Sequence, residues 1–329
     1  MDLLTLTDAG LCCERGGFHV DPWQSVPRAL LTHGHADHAR SGSEAYLAAA
    51  PGLGILQKRL GAEARIEVLP YGEPRRLNGV TVSFHPAGHV LGSAQLRVEG
   101  DGQVWVVSGD YKRGADPTCE PFEPQRCDVF ITEATFGLPV YAFRPGSEVA
   151  AEILAWWDEC RAEGRPAVLL AYALGKAQRI LAELARLTDR PVRTHGAVEG
   201  LVEVYRAAGV ALLPTTPVQE GDRGGKGELI LAPPSAAGSP WLKRFPGASL
   251  GFASGWMRLR GTRRRQGYDR GFVLSDHADW PSLLRTVDET QASRVLVTHG
   301  SSATLARALQ ERGIQAEVLR TAYEGESDA

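Results

Sequence analysis

No apolar run in this 329-residue chain reaches the roughly 18 residues that a membrane-crossing helix needs. The start, Met1-Asp2-Leu3-Leu4, carries an acid and does not resemble a signal peptide. An unexported, cytoplasmic protein without a membrane partner is therefore expected. Cysteine is scarce: Cys12, Cys13, Cys119, Cys127 and Cys160 are an odd number with no regular C-x-x-C pairs. That argues against a disulfide framework and a zinc ribbon, and reduced thiols are expected. Charge of one sign is lacking too, since 36 Lys and Arg against 39 Asp and Glu leave −3. Such a balance is poor for nucleic-acid binding unless the charges are clustered. The glycine-rich run Gly221 to Gly227 does not fit G-x-x-x-x-G-K-[ST] and is no nucleotide-binding P-loop. Internal repeats, coiled-coil heptads and low-complexity tracts are missing, and the acidic stretch Glu324 to Asp328 is expected to fray.

Histidine, by contrast, is concentrated. Thr32-His33-Gly34-His35-Ala36-Asp37-His38 packs three imidazoles and a carboxylate directly after the apolar run Ala29-Leu30-Leu31. In an extended segment His33 and His35 point to one side. Gly34 lets the backbone turn. Asp37 and His38 can then reach a second ion about 3.5–4 Å from the first. The spacing H-x-H-x-D-H thus reads as a two-metal hydrolase site, against the plainer reading of a polar loop in which Asp37 caps a helix.

Further candidate ligands follow other short apolar runs. His89 comes after Val80 to Phe84, Asp110 after Val104 to Val107, and Glu133 after Val129 to Thr132. His277 comes after Phe272 to Leu274, and His299 after Val295 to Thr298. Each run is rich in β-branched or aromatic residues and reads as a buried strand. Six strands, counting Ala29 to Leu31, would then deliver ligand or acid/base residues past their carboxyl ends, where open sheets place their sites. Singly, each residue has a bland explanation as a turn, surface or core residue. Together they do not.

These motifs resemble the metallo-β-lactamase superfamily and, within it, the β-CASP nucleases. His33-Gly34-His35-Ala36-Asp37-His38, Gly88-His89-Val90-Leu91-Gly92 and Ser108-Gly109-Asp110-Tyr111 look like the second, third and fourth superfamily motifs. Asp21 in Phe18-His19-Val20-Asp21-Pro22 looks like the aspartate of the first. Glu133, His277 in Ser275-Asp276-His277-Ala278-Asp279 and His299 in Val297-Thr298-His299-Gly300 look like motifs A, B and C of the nucleic-acid-cleaving branch. The run Tyr172 to Arg179 is similar to a strand-to-helix junction of β-CASP inserts, and Phe252 to Trp280 resembles bacterial ligase-associated DNA exonucleases.

The resemblance implies an α/β fold: an αββα sandwich from 1–140 and 260–329, with an inserted domain of parallel sheet and helices over 141–259. The texture of the middle agrees. Helical stretches at Glu148 to Arg161 and Lys176 to Arg186 alternate with strands at Ala167 to Leu170 and Glu228 to Leu231, the βαβ rhythm of a parallel sheet. A basic cluster lies near its end, with Arg258, Arg260, Arg263, Arg264, Arg265 and Arg270 against Asp269 alone. With Lys176, the first five of these arginines are the candidate phosphate contacts; the alternative is a solvated basic loop.

Ligand chemistry and the resemblance together assign His33, His35 and His89 to one metal, Asp37, His38 and His299 to the other, and Asp110 as the bridge. Two divalent ions are implied, zinc first and manganese second. A hydroxide between them would be the nucleophile, with Asp37, Glu133 and His277 the catalytic residues. His277 would protonate the leaving oxygen, oriented and kept protonated by Glu133. Asp21 would orient a ligand histidine. His19, His85 and His195 read as structural. The expected activity is DNA exonuclease action beside an ATP-dependent DNA ligase and helicase. RNA processing of the cleavage/polyadenylation or RNase J kind is the alternative.

Overall fold

The computed structural model describes residues 2–259 and 267–320. They divide into two compact units. The first comprises residues up to Gly114, Cys119–Ala142 and the residues from His277 onward; the second comprises Ala115–Thr118 and Phe143–Asp276.

The first unit begins with β1 (Thr5–Thr7), β2 (Gly10–Cys13), β3 (Phe18–Val20), β4 (Ala29–Leu31) and β5 (Tyr46–Ala49). Helix α1 (Leu53–Leu60) and strand β6 (Ile66–Leu69) complete a six-stranded sheet in the order β1-β2-β3-β4-β5-β6. Strands β7 (Arg75–Leu77), β8 (Val80–Pro86), β9 (Ala94–Gly100), β10 (Gln103–Val107) and β11 (Val129–Glu133) start a second sheet.

The chain then builds the second unit. Helix α2 (Gly146–Ala162), β12 (Ala167–Leu170), α3 (Lys176–Leu184), β13 (Val192–Thr194) and α4 (Gly196–Ala207) come first. Strands β14 (Thr215–Pro217), β15 (Leu229–Ala232), β16 (Ser249–Ala253) and β17 (Arg270–Phe272) follow. They form one parallel sheet in the order β14-β13-β15-β12-β16-β17. Buried on both faces, β12 can be apolar throughout, as Ala-Val-Leu-Leu is. Ala167 and Leu169 pack with Ile153 and Trp157 of α2 and Ile180 of α3, whereas Val168 and Leu170 pack with Phe245 and Met257.

Back in the first unit, α5 (Trp280–Thr290), β18 (Arg294–Thr298), α6 (Ser302–Glu311) and β19 (Gln315–Val318) finish the second sheet in the order β19-β18-β11-β10-β9-β8-β7. The period-two alternation of side chains sorts the layers. Leu30 and Leu47 face Val82, Trp105 and Ile131 of the other sheet, while Ala29, Leu31 and Ala48 face Leu56 of α1. Phe130 and Val295 turn the opposite way, onto Leu283 of α5 and Leu305 of α6. The result is an αββα sandwich. Truncating a core side chain such as Leu30 to alanine costs about 2–5 kcal/mol in such surroundings.

Two expectations need correction. The insert does not end at residue 259, because β17 pairs in parallel with β16 and belongs to its sheet. For the same reason the run before His277 is no strand of the sandwich: Phe272 ends β17, and Val273 and Leu274 lie beyond it. Five of the six expected strands stand in the sandwich sheets.

Candidate metal centre

Five strand ends of the first unit carry the centre. His33 to His38 follow β4, His89 follows β8, Asp110 follows β10, Glu133 closes β11 and His299 follows β18. The parallel register that pairs Glu133 with Thr298 sets His299 one residue beyond Glu133. Gly109 adopts a left-handed backbone (φ +55°), and a Cβ there would stand 2.6 Å from Cβ of Thr32. The turn before Asp110 can close onto the histidine loop because that atom is missing. Asp21 (φ 43°) and His299 (φ 56°) are also left-handed, although they carry side chains. Such strain gathers where surrounding structure imposes it.

The imidazole nitrogens converge. His35 Nδ1 lies 3.1 Å from His33 Nε2 and 3.0 Å from His89 Nε2. Asp110 Oδ2 lies 3.4 Å from His33 Nε2, 3.5 Å from His38 Nε2 and 3.8 Å from His89 Nε2. Ligand atoms held about 2.0–2.1 Å from one ion stand roughly 3.0–3.4 Å apart, so His33, His35, His89 and Asp110 have metal-ligand spacing. A second group is looser: His38 Nε2 is 3.7 Å from Asp37 Oδ2, and the His38 and His299 rings are 5.8 Å apart.

Hydrogen bonds behind the ligands fix which nitrogen faces inward. Asp21 accepts from the backbone N–H of Thr32 at 2.8 Å and from its hydroxyl at 2.5 Å. It also accepts from His38 Nδ1 at 2.7 Å, which leaves Nε2 of His38 to the centre. With its proton given to Asp21, the Thr32 hydroxyl oxygen can accept from His33 Nδ1 at 3.1 Å. The Thr298 hydroxyl, 3.4 Å from the carbonyl of Thr132, stands likewise 3.3 Å from His299 Nδ1. Neither threonine is among the candidate residues that the motifs single out. Their signal was visible, since Thr32 and Thr298 each directly precede a histidine of the centre.

Electrostatics follow from burial and from the carboxylates. Burial, reinforced by the charge of His38, holds His33 well below the usual histidine range, which keeps its lone pair available. Burial also opposes charge on His38, but Asp110, Asp21 and Asp37 outweigh it and push the group up to about 10. The field that retains a proton there is the field a dication would meet. Burial disfavours the charge of Asp110, yet His38, His277 and His33 hold it well below the usual carboxylate range. Burial and His38 push His299 down.

A buried pair adjoins the cluster. His277 Nδ1 lies 3.1 and 3.0 Å from the two oxygens of Glu133, which also accepts from the backbone N–H of Tyr111 at 2.8 Å. Asp110, Glu133 and His277 bring ligand atoms within 4.8 Å of one another, and the His277 and His89 rings are 4.6 Å apart.

Other expected site residues lie elsewhere. Lys176 does not offer its charge to solvent: it is 2% exposed, and Nζ stands 2.9 Å from Asp276 Oδ1 and 4.4 Å from the Tyr172 ring centroid. A phosphate contact by Lys176 is therefore replaced by an ion pair inside the second unit. Arg258 is exposed in a 3₁₀ turn, Gly255–Arg258. Arg260, Arg263, Arg264 and Arg265 lie outside the described residues. His195 caps α4, its Nδ1 accepting from the N–H of Ala197 at 3.1 Å, and its ring lies 4.8 Å from that of Trp241. None of the five cysteines is in a disulfide, and no helix among the described residues is long and apolar enough to cross a membrane.

No family model matches the chain. Among curated proteins, it is 34% identical to a "Probable DNA ligase" of Opitutus terrae over 310 residues, 93% of this chain and 30% of that protein. It is 29% identical to an "RNase J-like protein" of Methanocaldococcus jannaschii over 153 residues, 44% of this chain and 36% of that one. The chain thus spans about a third of the length of each of these two relatives. Among solved structures, a protein of unknown function from Enterococcus faecalis superposes with a TM-score of 0.61 at 12% identity, over 91% of this chain and 80% of that one. That likeness concerns the fold alone. With the sandwich, the parallel-sheet insert and the histidine cluster at the strand ends, the chain belongs to the β-CASP branch of the metallo-β-lactamase superfamily.

Proposed function

We propose that the protein is a metal-dependent nuclease that hydrolyses phosphodiester bonds in DNA as a two-metal exonuclease. What carries this reading is the buried Glu133–His277 pair beside the imidazole and Asp110 cluster, an acid/base device next to a cation site. His33, His35, His89 and Asp110 would hold one ion; Asp37, His38 and His299, with Asp110 between, would hold the other. Two divalent cations there, zinc ahead of manganese, would supply activated water at neutral pH and positive charge for the phosphate oxygens. Asp21 and Thr32 hold the imidazoles in the tautomers such ligation needs. Glu133 fixes the Nδ1 proton of His277, so a proton on Nε2 is the one that can pass to the leaving sugar oxygen as the P–O bond breaks.

DNA is favoured by the relative named as a probable DNA ligase. A stretch like nearly all of this chain makes up only 30% of that protein, which favours action beside a ligase in DNA repair. RNA processing is the second reading, favoured by the RNase J-like relative. End-labelled DNA and RNA strands, single and double, incubated with zinc or manganese decide between them. DNA ladders growing from one end are expected. RNA-selective cutting would promote the second reading, and no metal-dependent cutting of either would defeat both.

A further inference from the structure

We propose that a cleft of the first unit, on the far side of the histidine loop, binds the nucleic-acid strand beside the bond being cut. Trp23 would stack on a base, and Arg40 and Arg59 would hold phosphates. This rests on the nuclease reading.

The cleft has a volume of about 540 Å³, within the range of pockets that enclose small ligands. It is lined by Arg40, Arg59, Ser25 and Ser41 together with Trp23, and no carboxylate is among its lining residues. In a chain whose acids outnumber its bases, 39 to 36, that is a local excess of positive charge and hydroxyl donors. Guanidinium groups match phosphate oxygens by paired hydrogen bonds.

Position ties the cleft to the centre. The backbone N–H groups of His38 and Ala39 both bond to the carbonyl of His35, at 3.2 and 2.8 Å, so this stretch makes a helical turn. Residues three apart in such a turn share a face. Ala36 and Ala39 therefore line the cleft, while Asp37 and His38 between them line a separate cavity with His299. Trp23 lines both spaces. A strand whose scissile phosphate sat at the ligands would reach the cleft past Trp23, the residue the two spaces share.

The parts are held in place. The indole N–H of Trp23 donates to the carbonyl of Asp8, which fixes the plane of the half-exposed ring. The buried Tyr46 hydroxyl donates to the carbonyl of Arg40 at 3.0 Å and accepts from the N–H of Ser43 at 2.9 Å. Arg59 projects from the last turn of α1. A fixed aromatic beside cationic side chains is the arrangement that takes single strands with little regard to sequence.

The test uses the metal-loaded full-length protein and a short fluorescent single strand with phosphorothioate linkages, which resist cutting. Anisotropy is read across a salt series. Arg40→Gln/Arg59→Gln should lower the slope of log affinity against log salt by about 1.4, two single-strand phosphate contacts. Trp23→Leu should weaken binding about fivefold or more at fixed salt. Arg59→Gln alone, at an exposed helix end, should lower the slope by about 0.7 and keeps the test available if the double variant misfolds. Wild-type slope and affinity in folded arginine variants would overturn the proposal, as would wild-type protein that binds no strand. Hydrolysis of bis(p-nitrophenyl) phosphate by the wild type tests the metal chemistry separately, because that substrate has no strand to lay in the cleft. Its failure would count against the nuclease reading while the anisotropy still judged the cleft.

Discussion

His277 Nδ1 lies 3.0 Å from Oε2 of Glu133, and neither residue is more than 2% exposed. A buried imidazole held this way is oriented by its neighbour and, when charged, stabilised by it. His277→Ala should lower kcat about 10²- to 10⁴-fold, the usual contribution of a positioned acid, with metal content near wild type by elemental analysis. Loss of a metal instead would remove His277 from the acid role. Glu133→Gln should also lower kcat, since the imidazole loses the carboxylate that orients it.

Asp110 is the carboxylate that three imidazoles share, at 3.4, 3.5 and 3.8 Å. Asp110→Ala should abolish turnover and reduce bound metal, measured together on one preparation. Normal activity in that variant would sink the two-metal scheme.

His38 gives the pH dependence of the metal-stripped protein. Its folded value of about 10 exceeds the unfolded value of about 6.5. The stability from its retained proton is therefore complete below about pH 6.5 and is lost as the pH rises toward about 10. Melting temperatures in chelator should fall across that window. Metal-loaded protein should not show this fall, because ligation displaces the proton, and loading at pH 8 should release about one proton per His38. Identical pH curves with and without metal would take His38 out of the ligand set.

The sequence made the centre legible where chemistry was dense and local. His33, His35, Asp37 and His38 fall within six residues, and His89, Asp110 and His299 follow runs whose apolar character marks them as strands. What it hid depended on distant partners. Lys176 reads as an accessible cation until Asp276, 100 positions later, is found against it. The three residues of β17 carry too little pattern to announce that they pair with β16. The hydroxyl bridges through Thr32 and Thr298 are spelled in adjacent letters, but their function depends on Asp21 and Thr132, which arrive from other strands.

Five described residues other than glycine have left-handed backbones. Asn78 and Asp101 sit in turns between paired strands and Gln291 ends α5, whereas Asp21 and His299 flank the centre. A left-handed residue with a side chain costs roughly 1–2 kcal/mol. Glycine at either position would relax the backbone and delete a group of the centre in the same step. Stability and function therefore pull in opposite directions at these two positions. A selection or design scheme that rewarded melting temperature alone would tend to erase the centre first there and leave a sturdier, inert sandwich behind.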